Sequence, residues 1–351
     1  MSRAVAHASL TVLVGEPFGS FGTMMPLGHT AVYLDHVCAD GPLHVRMCRM
    51  DEAQGVVLAR YHAIGRYDWL ATPVTDFLYA TDTPSEIPSY ATPEGVWAMR
   101  ERYRERFLRG VVPDGAQGEQ DRDGSAKHAH ELEEWWETAG MAYHRRLWTY
   151  RVATTVAQDE RLVAVMNTRS NRHRYHLSGA NCANFAAELV NLYFPSAVRR
   201  ADRIADYGLM TPKHVVRSLS EYAAQNPTLD LHVGEIAQVP GSLKRSKRVW
   251  GGVESALKTK RYVFTLLLLQ PEIPLVLEAL YLTHGRWKVG SGAEAVPAST
   301  FFSPMDAAVA SSAPSGLTAP AGAHTAAADT QKAPPVDSSA ITGQLLREPA
   351  Q

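Results

Sequence analysis

One cysteine at the head of a helical run is the strongest candidate for chemistry in this chain. In NCANFAAELVNLYFP (181–195), Phe185, Leu189 and Leu192 recur at helical spacing, Pro195 stops the run, and the SGAN turn before it supplies cap chemistry. Cys182 is therefore expected at a helix start, where the dipole and unpaired N–H groups favour thiolate over thiol. The same N–H groups, that of Cys182 first, can hold an oxyanion. The competing role for a lone cysteine is that of a small buried packing residue, which is the commoner one. A nucleophilic thiol also needs a base. Most of the 14 histidines, among them His128, His130, His173, His176, His214 and His284, fall in polar, basic or late segments where a solvated role is the default. His29 differs, because it opens an apolar strand directly after a glycine-bearing loop, a good position for a catalytic imidazole at a sheet end.

The elements that must position these two residues can be read in outline. SLTVLVG (9–15), HTAVYL (29–34), LHVRMCR (43–49) and VVLARY (56–61) are β-branched or alternating runs separated by turn-rich loops, which predicts an antiparallel meander. VWAMRERYRERFLRG (96–110), HELEEWWETAGMAYHRRLW (130–148) and ATTVAQDERLVAVMN (153–167) read as helical, and HRYHL before the SGA turn reads as strand-like. Thr211-Pro212 has the form of a helix start. The segment 113–127 is polar and turn-rich, and 303–351 is dominated by Ala, Ser, Thr, Pro and Gly. That composition predicts a solvated insertion and a disordered tail.

Composition excludes several classes. With 351 residues, 45% of them hydrophobic, and 35 basic against 36 acidic side chains, the chain can bury a core and lacks the net positive charge of a nucleic-acid binder. Three cysteines cannot form a disulfide framework. Cys38 and Cys48 flank a turn and would pair if oxidised, although a cytoplasmic chain, the compartment expected here, keeps them reduced. A His29–His36–Cys38 metal site is set aside because zinc ligands come as recognisable pairs, so no metal or cofactor is expected. VFTLLLLQPEIPLVLEALYL (263–282) is long enough to span a bilayer but contains two prolines and two carboxylates, which predicts two buried or surface-seated helices instead. LKRSKR (243–248), with Lys258, Lys260 and Arg261, gives a basic stretch before it, and together 243–282 suit peripheral contact with an anionic membrane.

GHTAVYL (28–34) followed much later by NCANFAAELVN (181–191) resembles the circularly permuted branch of the NlpC-like papain-fold superfamily, which includes lecithin:retinol acyltransferase-like proteins. The match falls at Gly28, His29, Val32, Tyr33, Asn181 and Cys182. The resemblance implies an α+β, permuted papain-like fold over 1–215; the helical insertion at about 90–150 departs from it, and the extension over 216–302, read as helical, lies outside it. It implies Cys182 as nucleophile and His29 as general base, in a cysteine peptidase, amidase or acyltransferase acting on an amide-, ester- or thioester-bearing small molecule, peptide or lipid. A third polar residue is expected on the next strand. His44 is the first candidate, Asp35 and Asp40 are alternatives, and Asn181 and Tyr33 are supporting groups.

Overall fold

The structure, a computed structural model, describes residues 7–18, 27–49, 52, 55–62, 64, 66–112, 134–172, 175–176, 179–199, 209–258, 270, 272–282 and 286–302. The insertion expected at 113–127 and the tail expected from 303 lie outside the described residues.

A mixed sheet organises the chain. Its strands are β1 (His7–Gly15), β2 (His29–Leu34), β5 (Val56–Arg60), β6 (Trp69–Pro73), β7 (Leu147–Thr155), β8 (His232–Ile236) and β9 (Glu294–Ala295), in the order β6-β5-β2-β1-β7-β8-β9. All neighbours are antiparallel except β8 and β9. The expected meander is present in part, as β1-β2-β5, and β6, which was not expected, extends it; the α+β class holds. β3 (Val37–Ala39) and β4 (Val45–Met47) form a separate two-stranded sheet. LHVRMCR is thus a short hairpin arm and does not pair with β2.

The central strands read as near-continuous apolar runs because both faces are covered. Leu10, Val12, Val14, Val32 and Leu34 face a layer built from α4 (Val156–Thr168), α5 (Cys182–Tyr193) and α6 (Pro212–Gln225), where Leu162, Phe185, Leu189 and Leu219 pack against them. Leu13, Ala31 and Tyr33 face the other way, onto α1 (Val74–Tyr79), α2 (Pro93–Phe107), α3 (Met141–His144) and the 3-10 turn Glu134–Thr138. Burying a leucine or phenylalanine in such a layer contributes roughly 1.5–3 kcal/mol per side chain, so alternation along β2 is anchored from both sides and its register cannot slip by one residue.

Three expectations change. The run 130–148, expected as helical, is over its described residues 134–148 a 3-10 turn, the short α3 and the start of β7. LWTYRVATT carries aromatic and β-branched residues that fit a pleated surface between β1 and β8 better than a helix. Among the described residues of HRYHL, His176 forms a bridge to Ala180. The extension expected over 216–302 as helical also supplies β8 and β9, which continue the central sheet. It carries α7 (Gly252–Lys258) and α8 (Glu272–Leu280) as well, and among the described residues no helix is long and apolar enough to cross a membrane.

Cys38 and Cys48 are joined in a disulfide across the β3–β4 hairpin, which corrects the expectation of reduced thiols; Cys182 is a free thiol. The two cysteines are 10 positions apart, and closing so short a loop contributes about 2–3 kcal/mol by restricting the unfolded chain. Thiol titration of denatured, unreduced protein should therefore give one thiol per chain, and three after reduction. Replacing both Cys38 and Cys48 by serine should lower the unfolding midpoint, whereas three thiols before reduction would refute the bond.

Candidate active site

Cys182 opens α5 as the fold requires. Asn181 is the N-cap: its side-chain oxygen accepts from the Asn184 N–H at 2.9 Å, and the Asn184 side chain accepts in return from the Asn181 N–H at 3.2 Å. The Asn181 amide nitrogen donates to the Met210 carbonyl at 3.0 Å, which ties the start of α5 to the segment leading into α6. Asn181 was expected as an oxyanion support. Its side chain is instead a cap and a tether, because both ends of the amide already hold backbone groups.

The sulfur of Cys182 lies where β2 begins. It receives backbone N–H groups from Thr30, Ala183 and Cys182 itself. These donors favour thiolate, as expected at a helix start, yet the thiol is pushed up to about 11, because burial outweighs them and the Glu137 carboxylate adds to the rise. Cys182 is 8% exposed. At rest it is a protonated thiol.

His29, the residue before Thr30, points to the opposite face of the sheet from α5. Its ring stacks on Tyr61, with centroids 5.3 Å apart and planes at 17°. It shares a narrow, mostly apolar recess with Leu13, Ala31, Phe77, Met141 and Arg145. The residue keeps some exposure, but Nε2 is sealed from solvent and makes no hydrogen bond among the described residues. Burial first, and the Arg145 charge second, lower its pKa to about 3, so the imidazole is neutral. Gly28, just before it, has φ +77°, and a Cβ there would stand 2.4 Å from the Gly15 carbonyl oxygen. Only glycine lets the chain enter β2 this close to β1.

The expected third residues are elsewhere. His44 is exposed beside β4, in the two-stranded sheet, with no contact to His29. Asp35 lies beyond the other end of β2, where it accepts from the Ser9 N–H and Oγ and pairs with His36 at 2.8 Å. That position also separates His36 from His29, so the His29–His36–Cys38 ligand set is not assembled. Asp40 is exposed in the hairpin turn. Tyr33 shares the His29 face, as strand alternation requires, but packs on Phe301 four residues further along. The reason is common to all of them: the site forms at the start of β2, and every one of these residues follows its middle.

What surrounds His29 instead comes from segments without a motif. Arg60, at the end of β5, makes a buried ion pair with Asp68 at 2.6 Å and lies over the Phe185 ring of α5 at 5.0 Å. Asn171 accepts from the Asp68 and Trp69 N–H groups. This clamp fixes the end of β5 to α5, and the next residue is Tyr61. On the other side, Arg100 is fully buried and bonds the Ala139 and Gly140 carbonyls and His144. Arg145 is 4% exposed, 3.6 Å from Glu137, with Phe18 over its guanidinium. Sequence spacing carried no signal for Tyr61, Glu137 or Arg145. A weak one was the density of aromatic and charged residues in EEWWETAGMAYHRR.

Comparison of the chain with protein-family models, with curated proteins and with solved structures returned no match.

The neutral state of His29 sets a pH dependence. The unfolded chain binds the proton near pH 6.5, while the folded protein resists it down to about 3, so protonation favours unfolding across that window. Stability is greatest above the unfolded value and falls as pH drops below it. His144, also buried neutral, acts in the same direction. His29→Gln should leave a shallower fall of the unfolding midpoint on acidification; an unchanged slope would rule out a buried, neutral His29.

Proposed function

We propose that this protein is a cysteine-dependent hydrolase or acyltransferase of permuted papain-like architecture. The observation that carries the reading is the place of the Cys182 sulfur at the start of the strand that His29 opens. That sulfur takes the N–H of the residue that follows His29, and Tyr61, stacked on His29, lies within electrostatic reach of it.

In this reading Cys182 Sγ attacks the carbonyl carbon of an amide, ester or thioester while its proton passes to the neutral His29 imidazole. With the thiol pushed up to about 11, proton transfer accompanies attack and does not precede it. The Cys182 and Ala183 N–H groups, now directed at the sulfur, are the donors for the tetrahedral oxyanion. Collapse breaks the bond to the leaving group, which takes the proton back from the imidazolium. Water or an acceptor then resolves the thioester. The Cys38–Cys48 disulfide favours an oxidising compartment over the cytoplasm for this chemistry.

A second reading, a papain-like scaffold that binds without catalysis, is favoured by one observation: His29 Nε2 has no orienting partner among the described residues. An unoriented imidazole is a poor base. The two readings separate by alkylation with iodoacetamide across pH, followed at Cys182, the free thiol. Catalysis predicts reaction at neutral pH well above that of an unassisted thiol of the same pKa, and a loss on the order of tenfold or more in His29→Ala. A His29→Ala rate equal to that of the native protein favours the binding scaffold.

A further inference from the structure

The strand end that holds Cys182 and His29 is covered by a basic segment that the proposed chemistry does not use. Residues 244–249 run directly over it. Ser246 Oγ donates to Glu16 at 2.7 Å, the Arg146 N–H donates to Ser246 Oγ at 3.1 Å, and the Lys247 N–H donates to the Pro17 carbonyl at 2.8 Å. Val249 is buried, and a Cβ on Gly28 would meet its side chain at 3.5 Å. The backbone of this segment is therefore fastened to the residues on either side of the β1–β2 opening, while the side chains of Lys244, Arg245, Lys247 and Arg248 are exposed.

The charge of the strand end is unbalanced. Among the described residues Lys244, Arg245 and Arg248 make no ion pair. The carboxylates nearby are engaged: Glu235 with Arg146 at 3.1 Å, Glu137 with Arg145 at 3.6 Å, and Glu16 with Ser246. Burial also raises the Glu16 pKa. The sequence of 17–27, PFGSFGTMMPL, carries no charged side chain. Among the described residues, a net charge of -1 for the chain thus conceals a positive segment at 244–248 beside the β1–β2 opening.

We infer that the acyl donor attacked by Cys182 is anionic, with a carboxylate or phosphate group close to the reacting carbonyl that the 244–248 rim draws in. The inference rests on Cys182 and His29 being the reacting pair. A rim of one sign raises the local concentration and capture rate of an opposite charge by about 10–10³-fold, and salt screens it.

The test uses charged thiol reagents on the full chain, with Cys182 as the free thiol to be read. Anionic sulfonatoethyl and cationic trimethylammonioethyl methanethiosulfonate are compared, each normalised to its rate with glutathione. At low salt the anionic reagent should be favoured on the order of tenfold. The preference should shrink in high salt and reverse or vanish in Lys244→Glu/Arg245→Glu/Arg248→Glu. The salt titration of native protein stands alone if that variant fails to fold. A ratio near one that salt does not move, or a cationic preference, overturns the inference. Because the ratio does not need an activated thiol, failure of His29→Ala to slow labelling would sink the catalytic reading without touching the ratio. Co-sedimentation with phosphatidylglycerol vesicles, lost in the triple variant, would assign the anion to a lipid headgroup. No co-sedimentation, with the preference intact, would assign it to a soluble substrate.

Discussion

A sheet buried on both faces has only its strand ends left open, and this constraint governs the arrangement of the whole protein. β1 and β2 are covered by the α4–α5–α6 layer on one side and by the α1–α2–α3 layer on the other. Cys182 belongs to the first layer and His29 to the second. No side chain can pass between them through the sheet. The backbone N–H of Thr30, the residue after His29, is aimed at the Cys182 sulfur and places that sulfur at the start of β2.

The devices that make the strand end possible are backbone devices. Gly28 allows β2 to begin against the Gly15 carbonyl, the reciprocal Asn181–Asn184 cap fixes where α5 begins, and the Met210 carbonyl holds the cap in place. Side chains then set the orientation. Arg60 reaches from the end of β5 to Phe185 on α5, and its neighbour Tyr61 stacks on His29. Both layers are therefore referred to the same two strands, and a small shift in one is felt at the thiol and at the imidazole together.

Burial dominates the electrostatics of this strand end. It pushes the Cys182 thiol up to about 11 and the His29 imidazole down to about 3, against the N–H groups that would favour thiolate. Two arginines, Arg100 and Arg145, are also taken out of solvent there, each held by carbonyl, aromatic or carboxylate partners. Buried charges of this kind cost several kcal/mol each unless compensated, and the aromatic residues Phe18 and Trp136 shield them in place of water.

Much of this was legible in the residues. The strands β1, β2 and β5, the α+β class, the start of α5 at Cys182 and the placing of His29 and Tyr33 on one strand face follow from local periodicity and cap chemistry, which act over a few neighbouring positions. The sequence by itself thus determined which residues open which elements. It did not determine the partners of His29, since His44, Asp35 and Asp40 are near it only along the chain. Tyr61, Glu137 and Arg145, which do surround the site, come from separate segments and carry no shared spacing. The disulfide, the strand character of 147–155 and the basic cover over Gly28 depended likewise on long-range pairing. Only the tertiary structure decided these, because they are set by which layer covers which face, and that is a property of the packed sheet.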